Sequence, residues 1–307
     1  MAKKLDSTKA KVVAKKTPVN KNDPSKLLEV RQQIDSLDQQ IQDLITQRAN
    51  WAQMVREAKG DLKAAVEYYR PERESQILRR VLDRNEGPLS NEVLLRLFRE
   101  IMSACLAQQE PLKVGYLGLE GTFSQQALHK HFGHSAQSLP LASIEEVFQE
   151  IEDGHADFGV VPVENSGQGT IQSTLDMFLT SKLKICGEVE LRVHQHLLSR
   201  TGRMEDIERV YSHPQSLAQC KAWLRQHLPH AEKIPVSSNA EAARRARVAD
   251  DCAAIAGETA GYVYGLKVIA GPIEDRQDNT TRFLVIGREF FTPSGHDRTS
   301  LLVYVRD

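Results

Sequence analysis

The chain has little sulfur, almost no net charge and no long apolar run, and each lack closes off a class of function. Its four cysteines, Cys105, Cys186, Cys220 and Cys252, stand far apart with no CxxC pair. Neither a zinc knuckle nor a dithiol redox motif is therefore indicated, and buried free thiols are expected. The 40 Lys and Arg against 41 Asp and Glu leave a formal charge of −1, which gives no overall footprint for nucleic acid or an anionic membrane surface. No apolar stretch approaches the roughly 20 residues that cross a bilayer, and the N-terminus lacks the apolar core of a secretory signal; a cytoplasmic protein is expected. The run HKHFGH, His129 to His134, has histidines but no HExxH carboxylate, so neither a metal nor a cofactor is expected.

What is present divides the 307 residues into more than one core. Residues 1–24 carry seven lysines, no arginine and few apolar groups, the composition of a disordered tail. From Lys26 to Lys59 the apolar residues Leu27, Val30, Ile34, Leu37, Ile41, Leu44, Trp51 and Val55 recur at helical spacing, with no proline or glycine before Gly60. This predicts one amphipathic helix of roughly 50 Å at 1.5 Å per residue, too long for a small domain to cover alone. A helical homodimer is the expected answer. Pro71 opens a second helix at a first-turn position, RNEGPLS stops it, and a third runs from near Ser90 to Gln109.

Cations sit on this helical third. Arg48 falls where an apolar residue is due, and Lys59, eleven residues on, is only about 20° around the helix from it. Arg31 lies seventeen residues before Arg48, about 25 Å away along the axis, so it joins the same site only from a second subunit. Arg73 and Glu74 follow on the second helix, Cys105 and Gln109 at i, i+4 on the third. Spacing alone also fits solvated helix charges beside a coiled-coil seam.

After Pro111 the pattern changes. Short apolar runs (LKVGYLG, ADFGVVPVE, ERVYSHP, KIPVSS, CAAIA) alternate with helical ones such as SIEEVFQEIEDG and NAEAARRARVAD. Such alternation predicts an α/β region with a largely parallel sheet, and two runs joined by KICGEVELRVHQHLLS suggest two lobes with a cleft. Polar turns stand where strands end: GLEGTFS with Thr122 and Ser124, PVENSGQGT with Glu164, Asn165 and Ser166, YSHPQSLAQC with Ser212, His213 and Gln219, and IEDRQDNTTRF with Thr281 and Arg282. GLEGTFS lacks the GK[ST] of a P-loop. Each turn alone is more often a cap than a site, but turns after different strands can face one crevice.

In the helical third, RQQIDSLDQQI, QRANWAQMVREAKG and YRPERESQIL resemble the all-helical chorismate mutases. That resemblance implies an interlocked dimer of three-helix chains over residues 25–110. It implies that chorismate is bound by Arg31 of the partner, Arg48, Lys59, Arg73, Glu74 and Gln109, with Lys59 and Gln109 at the ether oxygen. A family position usually held by a small hydroxyl falls on Cys105. In residues 112–288, GYLGLEGTFSQQA, GVVPVENSGQGTI, VYSHPQSLAQC, SSNAEAA and IEDRQDNTTRF resemble prephenate dehydratase, although Leu119 stands where that family usually has proline. This implies a bilobal, periplasmic-binding-protein-like α/β domain in which Thr281 is catalytic. Asn165, Ser212 and Gln219 then line the prephenate site, with Thr122, Ser124, Glu164, Ser166 and Arg282 as neighbours.

Together the two resemblances imply a bifunctional enzyme of phenylalanine biosynthesis, without cofactor, membrane or nucleic-acid partner. The last run, DRTSLLVYVRD (297–307), resembles the first strand of an ACT regulatory domain, whose effector motifs do not follow. The competing expectation is a non-enzymatic sensor of small carboxylates joined to a helical dimerisation domain.

Overall fold

The computed structural model describes residues 24–59, 69–108, 110–167, 169–295, 297–301 and 303, with the backbone alone for Arg56 and Lys59. The Lys-rich segment before Pro24 lies outside the described residues, as does most of the terminal run. Where that run is described, at 297–301 and 303, it forms no strand. The chain divides into two units, one ending at Asn50 and one beginning at Trp51.

In the first unit the described residues belong to helix α1 (Pro24–Lys59), a continuous 36-residue helix. No proline or glycine interrupts it after its first residue, and Leu27, Val30, Ile34, Leu37, Ile41 and Leu44 are all exposed along it. The second unit takes the helix from Trp51 on and adds α2 (Pro71–Asp83) and α3 (Asn91–Ala107). Pro71 opens α2, where a missing N–H costs nothing. Asn85 shapes the following turn by donating to Leu89 O (3.0 Å) and Asn91 Oδ1 (2.7 Å). Ser90 then caps α3 by accepting from the Val93 N–H. Tyr69, just ahead of α2, inserts its ring against Phe132 and Phe158, with centroids 5.6 and 5.3 Å away.

The rest of the unit is two α/β lobes. The first runs β1 (Lys113–Leu117), α4 (Phe123–Phe132), β2 (Gln137–Leu141), α5 (Ile144–Glu152), β3 (Phe158–Asn165), β4 (Gly169–Thr170), α6 (Gln172–Thr180) and β5 (Lys184–Arg192). The second runs β6 (His196–Ser199), β7 (Arg209–Ser212), α7 (Pro214–Gln219), α8 (Lys221–His227), β8 (Glu232–Pro235), α9 (Asn239–Ala246), β9 (Cys252–Ala256), α10 (Glu258–Tyr264) and β10 (Lys267–Ala270). The chain then returns to the first lobe as β11 (Thr280–Gly287), which inserts between β3 and β5. The sheets are ordered β2-β1-β3-β11-β5, with β4 beside β3, and β10-β6-β9-β7-β8.

Both sheets are mixed, against the largely parallel expectation. The returning β11 is antiparallel to both neighbours, and β6 is antiparallel to β9 and β10. The long KICGEVELRVHQHLLS segment holds two strands, all of β5 in one lobe and all of β6 in the other. Period-two alternation along β11 divides the first lobe's core. Phe283 and Val285 pack with Tyr116, Leu128 and Phe158 on one face, while Leu284 and Ile286 pack with Val147, Phe148 and Ile151 on the other. Such a strand is buried on both faces, so its polar first residues are left to emerge where the sheet ends.

Candidate active site

Two chain segments, 193–195 and 271–279, cross between the lobes, and between the lobes lies a cavity of about 770 Å³. From the first lobe it is lined by the β1 to α4 turn, Asn165 at the end of β3, Asn279 and Thr281. From the second come His213, Ser216 and Gln219 of the α7 region with Asn239 of α9; Gln195 adds to them from the crossing. Gly118 and Gly121 hold positive φ, +99° and +82°, and a Cβ on Gly121 would come within 3.0 Å of Ala260 Cα. The GLEGTFS turn can take this shape only with glycine there.

Thr281 opposes Asn165 in the β11–β3 register. The Asn165 amide orientation is fixed, because its Oδ1 accepts from Gly167 N–H at 3.0 Å. Its Nδ2 therefore donates, to Thr281 Oγ1 at 2.8 Å and to Asn279 Oδ1 at 3.0 Å. Since Thr281 Oγ1 is already an acceptor, its own hydrogen is free to donate, and no acceptor for it occurs among the described residues. Thr281 is 8% exposed, so this donor stands at the wall of the cavity, screened from bulk water.

A second polar group comes from the other lobe. Asn239 Oδ1 accepts from the Ser212 hydroxyl (2.9 Å) and the His213 N–H (3.1 Å). Its Nδ2 donates to Ser216 Oγ at 2.9 Å, and Gln195 Nε2 donates to the same oxygen at 3.2 Å and to Gln219 Oε1 at 3.4 Å. The crossing segments are locked to this group. Buried Glu274 accepts from Gln195 N–H (2.9 Å) and contacts His194 Nδ1 (2.7 Å), while Asp275 accepts from the Ala222 and Trp223 N–H groups at the start of α8.

Of the residues expected at the prephenate site, Thr281, Asn165, Gln219, Thr122 and Ser124 line this cavity. Thr122 has its hydroxyl committed to the turn, donating to Leu119 O and accepting from Gln125 N–H. Ser212 lies behind the lining, fully buried, its one hydroxyl hydrogen within reach of both Asn239 Oδ1 and Ile255 O. Ser166 shapes the approach to β11 by accepting from Thr280 N–H at 3.0 Å. Glu164 and Arg282 do not line the cavity. Strand alternation sends Arg282 to the opposite face from Thr281, where its guanidinium is 3.6 Å from Glu164 and 3.9 Å from Glu188. Gln195, Ser216, Asn239 and Asn279 were not assigned from sequence. Gln195 carries no motif signal, and Asn239 reads there only as part of a helix cap.

On the helical part, Arg31 is exposed and Arg48 half-buried on α1. The Lys59 side chain and Gln109 lie outside the described residues. Arg73 is exposed, whereas Glu74 faces Arg99, with Oε1 3.5 Å from Nε. Burial raises the Glu74 carboxyl against the opposing pull of Arg99. Cys105 is buried in α3 as a free thiol. His131 is held neutral beside this region: its Nε2 is 3.4 Å from the Tyr69 hydroxyl, and burial, reinforced by Arg99, pushes its pKa down to about 3. The His129 and His134 rings are stacked 4.5 Å apart, and no group of metal-binding side chains occurs among the described residues.

The class defined by this geometry is a two-lobed α/β protein, preceded in sequence by helices, with an interlobe cavity at the strand ends that has no Lys or Arg among its described lining residues. Comparison with known proteins narrows the class. The prephenate dehydratase family matches residues 114–290, and type II chorismate mutase matches residues 30–110. The bifunctional chorismate mutase/prephenate dehydratase of Stutzerimonas stutzeri is 53% identical over 93% of this chain and 79% of its own. The protein of the same description from Pseudomonas aeruginosa is 51% identical over the same shares. Among solved structures, prephenate dehydratase from Arthrobacter aurescens, in complex with L-Phe, aligns with a TM-score of 0.55 at 33% identity, covering 61% of this chain and 63% of that one. The chain belongs to the bifunctional chorismate mutase/prephenate dehydratase family of phenylalanine biosynthesis. The expectation of a non-enzymatic sensor gives way to that of an enzyme.

Proposed function

We propose that the interlobe cavity is the site where prephenate is converted to phenylpyruvate, and that residues 25–110 rearrange chorismate to the prephenate consumed there. The observation that carries this reading is the Asn165 to Thr281 hydrogen bond, which leaves the Thr281 hydrogen pointing out of the network as a donor. In the dehydratase step the bond from the ring to its carboxylate breaks and releases CO2. The electron pair moves through the ring, and the C4–OH bond breaks as the ring becomes aromatic. One proton is taken up, so the departing oxygen leaves as water. Aromatisation drives the reaction, and the protein has to hold the ring and stabilise charge on the departing oxygen. A threonine hydroxyl is too weak an acid to supply the net proton near neutrality. Its part is a hydrogen bond to the departing hydroxyl, with Gln219 and Ser124 at the cavity wall holding the substrate and Ser212 supporting Asn239 from behind.

The mutase step needs no nucleophile or metal. It needs the dicarboxylate held in a chair-like conformer and donors at the breaking ether oxygen. Arg48, Arg73 and the partner subunit's Arg31 suit the carboxylates, and Lys59 and Gln109 the ether oxygen. A homodimer through α1 is supported by the exposed row from Leu27 to Leu44, since apolar side chains repeating every three to four residues are what a paired helix covers. A cytoplasmic location is part of the same proposal; no described helix is long and apolar enough to cross a membrane. Feeding chorismate and following products tests the whole: phenylpyruvate requires both steps, prephenate alone only the first, and no turnover rejects both.

A further inference from the structure

His213 is the only titratable side chain among the described residues that line the cavity. Its ring is anchored at one nitrogen, where Nδ1 accepts the Gln215 N–H at 3.3 Å and caps α7. Its own backbone N–H is tied to Asn239 Oδ1 at 3.1 Å, so the residue is held at both ends. A backbone N–H can only donate. Nδ1 must therefore offer a lone pair, and the ring hydrogen is carried on Nε2. Protonating Nδ1 would set N–H against N–H and break the cap. No partner for Nε2 occurs among the described residues.

Among the described residues of the strands packed on α7, the charged ones lie away from His213. Strands β8 and β9 pack on α7, and the titratable groups Glu232 and Cys252 pair with Arg209 while Lys233 pairs with Val210. That is the far end of β7 from Ser212 and His213. In the adjacent crossing segment, Glu274 is taken by Gln195 N–H and His194, and Asp275 by the N–H groups of α8.

We infer that His213 is a further substrate-binding residue, whose Nε2–H donates to an acceptor oxygen of prephenate from the lobe opposite Thr281. The inference rests on the cavity being the prephenate site. With no Lys or Arg among the described lining residues, neutral donors must recognise a doubly charged substrate, and His213 adds one whose tautomer is fixed before the substrate arrives.

The test separates the ring's two nitrogens. In His213→Asn the side-chain oxygen can still cap α7, but no group reaches where Nε2 stood; in His213→Ala both functions are lost. The expected result for His213→Asn is a ten- to hundredfold fall in dehydratase kcat/KM, about that of one hydrogen bond to a charged group, with unchanged mutase rate and Tm. Wild-type kcat/KM in that variant overturns the inference. Independently, ¹⁵N NMR of the wild-type ring should show the Nε2–H tautomer and a shift of Nε2 on saturation with phenylpyruvate. An Nδ1–H tautomer or an unmoved Nε2 overturns it even if the variants fold poorly. If Thr281→Val also leaves the dehydratase intact, the assignment of the cavity fails and that of His213 with it; a slowed Thr281→Val beside a wild-type His213→Asn overturns the His213 inference alone.

Discussion

The Asn165 amide donates to the Thr281 hydroxyl oxygen across 2.8 Å, between two residues paired on β3 and β11 and 116 positions apart in sequence. The same nitrogen holds Asn279, and its orientation is set in turn by Gly167 N–H. A hydroxyl that accepts such a bond has its hydrogen directed elsewhere, and the cavity is where it can go.

Thr281→Val keeps the shape of the side chain and removes only this donor. Asn165 retains Asn279 Oδ1 as a partner, so the fold should lose no more than about 1 kcal/mol. Dehydratase kcat should fall by about 10²- to 10³-fold, the range for removing one preorganised donor from a site of developing charge. Mutase turnover on the same preparation should be unchanged. Steady-state assays with each substrate in turn check this, and a dehydratase at wild-type rate would remove Thr281 from the mechanism.

Asn165→Ala should act on the same step in a different way. It removes the donor to the Thr281 hydroxyl and the acceptor of the Gly167 N–H and leaves Asn279 Oδ1 only the longer bond from Ser166 Oγ at 3.4 Å, so a loss of about 1–3 kcal/mol in unfolding free energy is expected, along with a dehydratase loss at least as large as that of Thr281→Val. If the two residues work as one unit, the double variant should be no slower than the worse single one. Additive losses would mean that Asn165 contacts substrate independently of Thr281.

Much of this arrangement was legible because the polar turns are local. GLEGTFS, PVENSGQGT and DNTTRF each announce a strand end, and the apolar run from Phe283 to Ile286 announces a strand buried on both faces. Which side of that strand each polar residue takes was not legible. Thr281 and Arg282 are adjacent, and only the pairing with β3 and β5 decides that the first meets the cavity and the second meets Glu164 and Glu188. The return of β11 into the first lobe was hidden for the same reason: antiparallel insertion between β3 and β5 depends on contacts 88 to 129 residues apart. Gln195 and Asn239 were missed because a buried amide network has no spacing to read, only partners.

Arg48→Ala addresses the helical part. If Arg48 binds a chorismate carboxylate, its loss should lower mutase kcat/KM by about a hundredfold or more, since a charge-assisted bidentate contact is removed. The dehydratase, assayed with prephenate supplied, should keep its rate. Equal loss of both activities would point to a folding defect, which circular dichroism would reveal; retention of the mutase would show that Arg48 is only a solvated helix charge.

The last expectation concerns acid stability. His131 sits beside the Tyr69 hydroxyl, and burial, with Arg99 nearby, lowers its pKa to about 3, against about 6.5 in an unfolded chain. Between these values the unfolded state binds a proton that the folded state refuses. Stability from this group is therefore complete above about pH 6.5 and drains away as pH falls toward 3, at up to about 1.4 kcal/mol per pH unit. Carboxylates add their own dependence below pH 5, so the useful window is pH 5 to 6.5. His131→Gln keeps a hydrogen-bonding group near Tyr69 but cannot titrate. Urea unfolding at pH 7.0, 6.0 and 5.0 should show wild type losing stability more steeply than the variant, and parallel slopes would mean that His131 is charged in the fold or exposed to water.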